Sequence, residues 1–185
     1  MRHGGDGRMT TTWVALLRGI NVGRNKRIAM ADLRAMLESL GNGDVRSLGQ
    51  SGNLIFSSAQ RMAEPLKQRV ADGIRATFGL DVAVLLRTAD ELAAAVEANP
   101  FVARGVDAAE LHAAFLSAEP AAAKKAGVDH AAFLPDEFAF GKRVVYLRLP
   151  NGVMGATLPD WDKVLGVRAT QRNWNTTTKL RDLVS

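Results

Sequence analysis

The chain of 185 residues contains no cysteine. That excludes a disulfide scaffold, a thiolate zinc site and a cysteine nucleophile, and it fits a reducing compartment, so the cytoplasm is the expected location. Histidine is scarce, with three residues, and tyrosine occurs once. No apolar run approaches the ~18 residues of a membrane span, so no membrane partner is expected. Residues 1–10 are polar and glycine-rich and lack the apolar stretch of a secretory signal, and they read as a flexible extension. What remains is an ordinary globular composition, 47% hydrophobic and 23% charged, sufficient to form a core without metal or disulfide.

The net charge of +5 is unevenly spread. Residues 1–87 hold thirteen Lys or Arg against seven Asp or Glu, whereas residues 88–185 hold eleven against twelve. Attraction for an anion therefore favours the first half, although a solvated basic face accounts for an excess of this size as well.

Thr12 to Arg18 has strand composition, and Met30, Leu33, Met36, Leu37 and Leu40 recur at helical spacing before Gly41. Val45 to Leu48 and Leu54 to Ser57 read as strands joined by Gln50-Ser51-Gly52-Asn53. Met62, Leu66, Val70, Ile74 and Phe78 predict a second helix, and Val82 to Leu86 a fourth strand. This β-α-β-β-α-β order is that of a ferredoxin-like unit. Beyond it, Thr88 caps a helix that ends at Asn99-Pro100. A strand over Leu111 to Ser117, a helix over Pro120 to Ala126, a hairpin around Gly141-Lys142 and a helix over Pro159 to Leu165 follow. That order, β-α-β-β-α, repeats the first half with a different ending, a helix over Asn173 to Val184. The expected architecture is α+β, with two ferredoxin-like halves carrying antiparallel sheets and a C-terminal helix. The boundaries are residues 11–88 and 89–185.

Three polar motifs carry the chemistry. Leu17 to Gly23, LRGINVG, ends a strand and leads toward a helix; a glycine-bearing loop there can aim backbone N–H groups at an anion, with Arg18, Arg24, Lys26 and Arg27 nearby. The same loop is also what a plain turn needs. It is neither a Walker A sequence nor GxGxxG. Gln50 to Asn53 supplies amides, but Ser51 has no neighbouring base to make it a nucleophile. Arg172 to Thr176, RNWNT, joins a guanidinium, two amides, an indole and a hydroxyl. Asn173 or Thr170 can cap the last helix, and Trp174 reads as a core anchor because its face continues into Leu180 and Val184. Arg172, Asn175 and Lys179 remain as donors for phosphate or carboxylate. His112 reads as a satisfied structural histidine, and Asp160 and Asp162 as acids at a helix start rather than a metal pair.

Together the segments WVALLRGINVG, MADLRAML, QSGN and TQRNWNTTTKL resemble an uncharacterised bacterial family, domain of unknown function 1697. Asn99-Pro100-Phe101 is similar to a further family feature, and the loop departs from the pattern in reading Gly23-Arg24-Asn25 where a second glycine is expected. The resemblance runs from about Thr12 to Val184. It implies two ferredoxin-like halves in one chain and no particular activity. It marks Arg18, Gly19, Asn21, Gly23, Gln50, Ser51, Gly52, Asn53, Arg172, Asn173, Trp174, Asn175 and Thr176 as motif positions.

The expected function is binding of a phosphorylated or otherwise anionic ligand, a nucleotide or nucleic acid among them. The expected ligand-binding residues are Arg18, Asn21, Gly23, Lys26, Gln50, Ser51, Asn53, Arg172, Asn175 and Lys179, with no metal and no cofactor. Two alternatives stand beside it: a metal-independent enzyme stabilising a developing anion with arginine and amide donors, and a scaffold offering an exposed sheet edge to a protein partner.

Overall fold

The computed structural model describes residues 9–24 and 26–185; the extension expected over residues 1–10 falls almost wholly outside them. Two four-stranded antiparallel sheets form. The first holds β1 (Thr11–Leu17), β2 (Gly43–Leu48), β3 (Asn53–Ser58) and β4 (Val84–Thr88) in the order β2-β3-β1-β4. The second holds β5 (Leu111–Leu116), β6 (Glu137–Gly141), β7 (Val144–Arg148) and β8 (Ala169–Asn173) in the order β6-β7-β5-β8. The two orders are the same once β1 to β4 are replaced by β5 to β8.

Helices α1 (Met30–Ser39) and α2 (Ala63–Phe78) cover one face of the first sheet. Their Leu33, Leu37, Leu66, Val70 and Ile74 pack on Trp13, Ala15, Leu17, Leu54 and Phe56. Strand parity sends Val14, Leu16, Ile55 and Leu85 to the opposite face, where they meet Phe115, Tyr146, Trp174 and Leu180 of the second half. Both faces of β1 are therefore buried, which is why its sequence is a continuous apolar run rather than an alternation. Each such leucine contributes about 1.5–3 kcal/mol. The outer face of the second sheet packs Leu116, Val145 and Leu147 against Trp161 and Leu165, both on α6 (Trp161–Leu165), with α5 (Ala122–Ala126) beside it.

Helix α3 (Ala89–Glu97) leaves β4 through a capping box between Thr88 and Glu91. Helix α7 (Trp174–Val184) leaves β8 with Asn173 as cap. These two helices pack on each other between the sheets. Asn99 does not merely stop a helix; it caps a further turn, α4 (Pro100–Ala103), with proline at its first position.

The ending of the second half is corrected by β8. ATQRN pairs along its whole length with β5, so each half runs β-α-β-β-α-β and then adds a helix. The strand escapes periodicity because its inward residues are Thr170 and Arg172 rather than apolar ones. Among the described residues no helix is long and apolar enough to cross a membrane.

Candidate functional site

The polar end of β8 explains the geometry of the site. Arg172 is only 8% exposed, and burial pushes its pKa down to about 10, still charged at neutral pH. Its five N–H groups are all engaged. Nε donates to Asn53 Oδ1 at 2.5 Å, Nη1 to Thr170 Oγ1 and to the Gln171 carbonyl at 2.9 Å each. Nη2 donates to the carbonyls of Leu17 at 2.7 Å and Ser51 at 3.1 Å. The side chain thus crosses from the second half to fasten the end of β1 and the β2–β3 turn of the first.

Arg87, 3% exposed on β4, makes the reverse crossing. Its Nη2 donates to the carbonyls of Leu116 at 2.6 Å and Arg143 at 2.8 Å, and its guanidinium lies 5.7 Å from the centre of the Phe115 ring. Leu17 and Leu116 occupy equivalent ends of β1 and β5, and Arg87 and Arg172 each stand one residue before a helix cap. Arg87-Thr88 and Arg172-Asn173 are therefore a residue-level echo of the repeated architecture.

Beside Arg172 opens a cleft of about 640 Å³, reached by all three motifs. Leu17, Arg18, Gly19, Ile20 and Val22 line it from the first, Ser51 and Asn53 from the second, and Arg172, Asn173 and Thr176 from the third. The far wall is His112, Val153, Asp160, Trp161, Asp162 and Gln171. Arg18 is half-exposed and paired with Asp162, whose other oxygen accepts the Ala169 N–H at 2.9 Å. Asp160 caps the start of α6 through the Asp162 N–H at 3.1 Å.

The residues singled out in the sequence divide into two groups. Arg18, Ser51, Asn53 and Arg172 line the cleft, although the donors of Arg172 are spent on the protein itself. Asn21 holds the loop together: Nδ2 donates to the carbonyls of Ile28 at 2.9 Å and Gln50 at 2.7 Å, and Oδ1 accepts from Ile28 N–H at 2.8 Å. Gly23 sits in a turn at φ +64°, and its carbonyl receives Arg27. Lys26 reaches the Asp81 carbonyl instead. Gln50, Asn175 and Lys179 are exposed outside the lining. Conversely His112, Asp160, Asp162 and Gln171 lie in the wall, outside the site drawn from the sequence. Only their position on β8 or beside it brings them there.

His112 is 8% exposed, and its Nδ1 has no hydrogen-bond partner among the described residues. The expectation of a satisfied structural histidine therefore holds for burial and, through the Glu110 backbone, only in part for hydrogen bonding. Burial depresses its pKa below the ordinary 6.5. The unfolded chain takes up a proton at this residue before the folded one does, so stability falls as pH drops below 6.5 and through the folded value. Urea unfolding at pH 7.5 and 5.5 is expected to show a smaller acid loss in His112→Leu than in the unmodified protein.

The sequence profile of the family described as "Protein of unknown function (DUF1697)" matches residues 9–146, three quarters of the chain and its first two motifs. The chain belongs to this family. The third motif lies beyond the matched residues. Among solved structures, the conserved bacterial protein SP0830 from Streptococcus pneumoniae is similar in fold, with TM-score 0.75 at 21% identity over 96% of this chain and 100% of that one. No curated protein matches the chain.

Proposed function

We propose that the protein binds a small ligand bearing an anionic group, a phosphate or a carboxylate, in the cleft between its two halves. The observation that carries the reading is the shared lining: residues about 150 positions apart in sequence border one cleft of about 640 Å³, within the range of small-molecule sites. Two features favour an anion. Arg18 brings positive charge to the wall, and the eleven-residue helix α7 starts at the cleft with Asn173 and Thr176, its N-terminus adding dipole and N–H groups. Asp160 and Asp162 share the wall, so a compact anion fits better than a long polyanion. Arg172 and Asn21 act by building the cleft, not by touching the ligand.

Thermal melting with inorganic phosphate, AMP and a single-stranded DNA oligonucleotide tests the reading. A ligand at one hundred times its Kd raises stability by about 2.7 kcal/mol, roughly 5–10 °C for a chain of this size. Arg18→Ala removes the half-exposed guanidinium of the wall and is expected to abolish the shift, while Lys179→Ala keeps it. The reading fails if Lys179→Ala removes the shift and Arg18→Ala does not. A DNA shift that collapses between 50 and 200 mM salt would move the reading to nucleic acid.

A further inference from the structure

We infer that the open edge of β8 is the recognition strand of the cleft and that the ligand is a short peptide with free ends, added parallel to β8. This rests on the proposed cleft binding and names its ligand class. β8 is the last strand of its sheet, paired with β5 alone, and all five of its residues line the cleft.

Hydrogen-bond parity shows which backbone groups are on offer. The Ser117 N–H donates to the Arg168 carbonyl. Within the register that pairs Phe115 with Thr170 and Ala113 with Arg172, those pairs exchange the ladder bonds. Ala169, Gln171 and Asn173 therefore direct N–H and C=O away from β5. Two side-chain contacts agree with this: Asp162 receives the Ala169 N–H, and Arg172 donates to the Gln171 carbonyl. The Ala169 carbonyl and the Gln171 N–H remain, with the Asn173 N–H beyond them.

The Ala169 carbonyl and the Gln171 N–H are the pair that one residue of a parallel strand requires, its N–H going to Ala169 and its carbonyl to Gln171. An antiparallel residue opposite Gln171 would have to share the carbonyl already used by Arg172. The two ends of the edge differ: Asp160, with Lys163 at 3.9 Å, lies on the Ala169 side, and the first turn of α7 follows Asn173. Parallel addition lays the peptide's amino end toward Asp160 and its carboxylate toward the first turn of α7. Val22, 71% exposed, and Val153 stand at the cleft as unpaired apolar walls for the side chain between them.

Titration calorimetry with the tripeptide Ala-Val-Ala, and with its analogue carrying an ester oxygen in place of the Val N–H, is the test. The tripeptide is expected to bind the unmodified protein, and the ester roughly tenfold or more weaker, the effect of one lost hydrogen bond beside an unpaired carbonyl. Gln171→Pro, unlike Gln171→Ala, removes the outward N–H as well as the side chain, a change that edge strands accept, and is expected to weaken the tripeptide roughly tenfold more than Gln171→Ala does. If that variant melts abnormally, the ester comparison on the unmodified protein decides. Equal binding of ester and amide overturns the inference, as does a loss in Gln171→Ala equal to that in Gln171→Pro. Arg18-dependent binding of phosphate or AMP without tripeptide binding overturns it while the broader anion reading stands. Absence of binding by every probe overturns both.

Discussion

Replacing Arg172 with lysine is expected to lower the unfolding free energy by about 3 kcal/mol, a fall in Tm on the order of 10 °C. Charge is retained, so the loss isolates geometry. A planar guanidinium reaches five acceptors from one position: Asn53 Oδ1, Thr170 Oγ1 and the carbonyls of Gln171, Leu17 and Ser51. An ammonium has three N–H groups at a single point and cannot span both halves. At least two buried acceptors are left without a donor, each costing about 1–3 kcal/mol. Arg87→Lys is expected to lose less, since Arg87 serves the three carbonyls of Leu86, Leu116 and Arg143. Urea denaturation followed by tryptophan fluorescence measures both. A loss below about 1 kcal/mol for Arg172→Lys contradicts the fastening role and returns the side chain to the pool of free anion donors.

Gly52→Ala is expected to cost a similar amount, about 3 kcal/mol, by a different route. Gly52 has φ +80°, and a Cβ placed there would stand 2.7 Å from Leu17 Cβ and 2.9 Å from two Ile20 side-chain atoms. Its carbonyl also receives the Leu17 N–H at 2.9 Å, so the turn cannot retreat without breaking the β1 ladder. The neighbouring Gly49, φ +64° with no atom within 4 Å of the place a Cβ would take, supplies the comparison. Gly49→Ala carries the backbone strain alone, about 1–2 kcal/mol. Equal losses from the two substitutions would mean that close approach to Leu17 and Ile20 contributes nothing. The larger loss at Gly52, joined to a loss of ligand binding, is the expected result, because Ser51 and Leu17 both border the cleft.

The first sheet was readable because its residues obey simple periods. Met62, Leu66, Val70, Ile74 and Phe78 repeat every four positions, and α2 forms over Ala63–Phe78. Thr88 reads as a helix cap, and the structure places it there with Glu91 completing a capping box. β8 breaks such reasoning, since Thr170 and Arg172 take inward places that an apolar pattern reserves for valine or leucine. Arginine enters the interior there because the other half supplies carbonyls, and no local pattern reveals a partner some 120 to 155 positions away. The same long-range pairing hid the roles of the motif residues. Arg172 and Asn21 look like ligand donors in sequence, yet their hydrogen bonds close on the chain. Asp160 and Asp162, read in the sequence as acids at a helix start, and Gln171 become cleft wall once β8 is an edge strand. Arg87-Thr88 and Arg172-Asn173 were visible as words, but their equivalence required the strand order.

The central claim, that three separated motifs build one binding cleft, is most directly tested by a ¹⁵N amide-shift titration with Ala-Val-Ala and with inorganic phosphate. The shifted amides are expected to cluster at Gly19, Ser51, Gln171, Asn173 and Thr176, all in the cleft lining. Shifts gathered instead beside β2, around Thr12, Asp44 and Ser57, where a separate cavity lies, would contradict it.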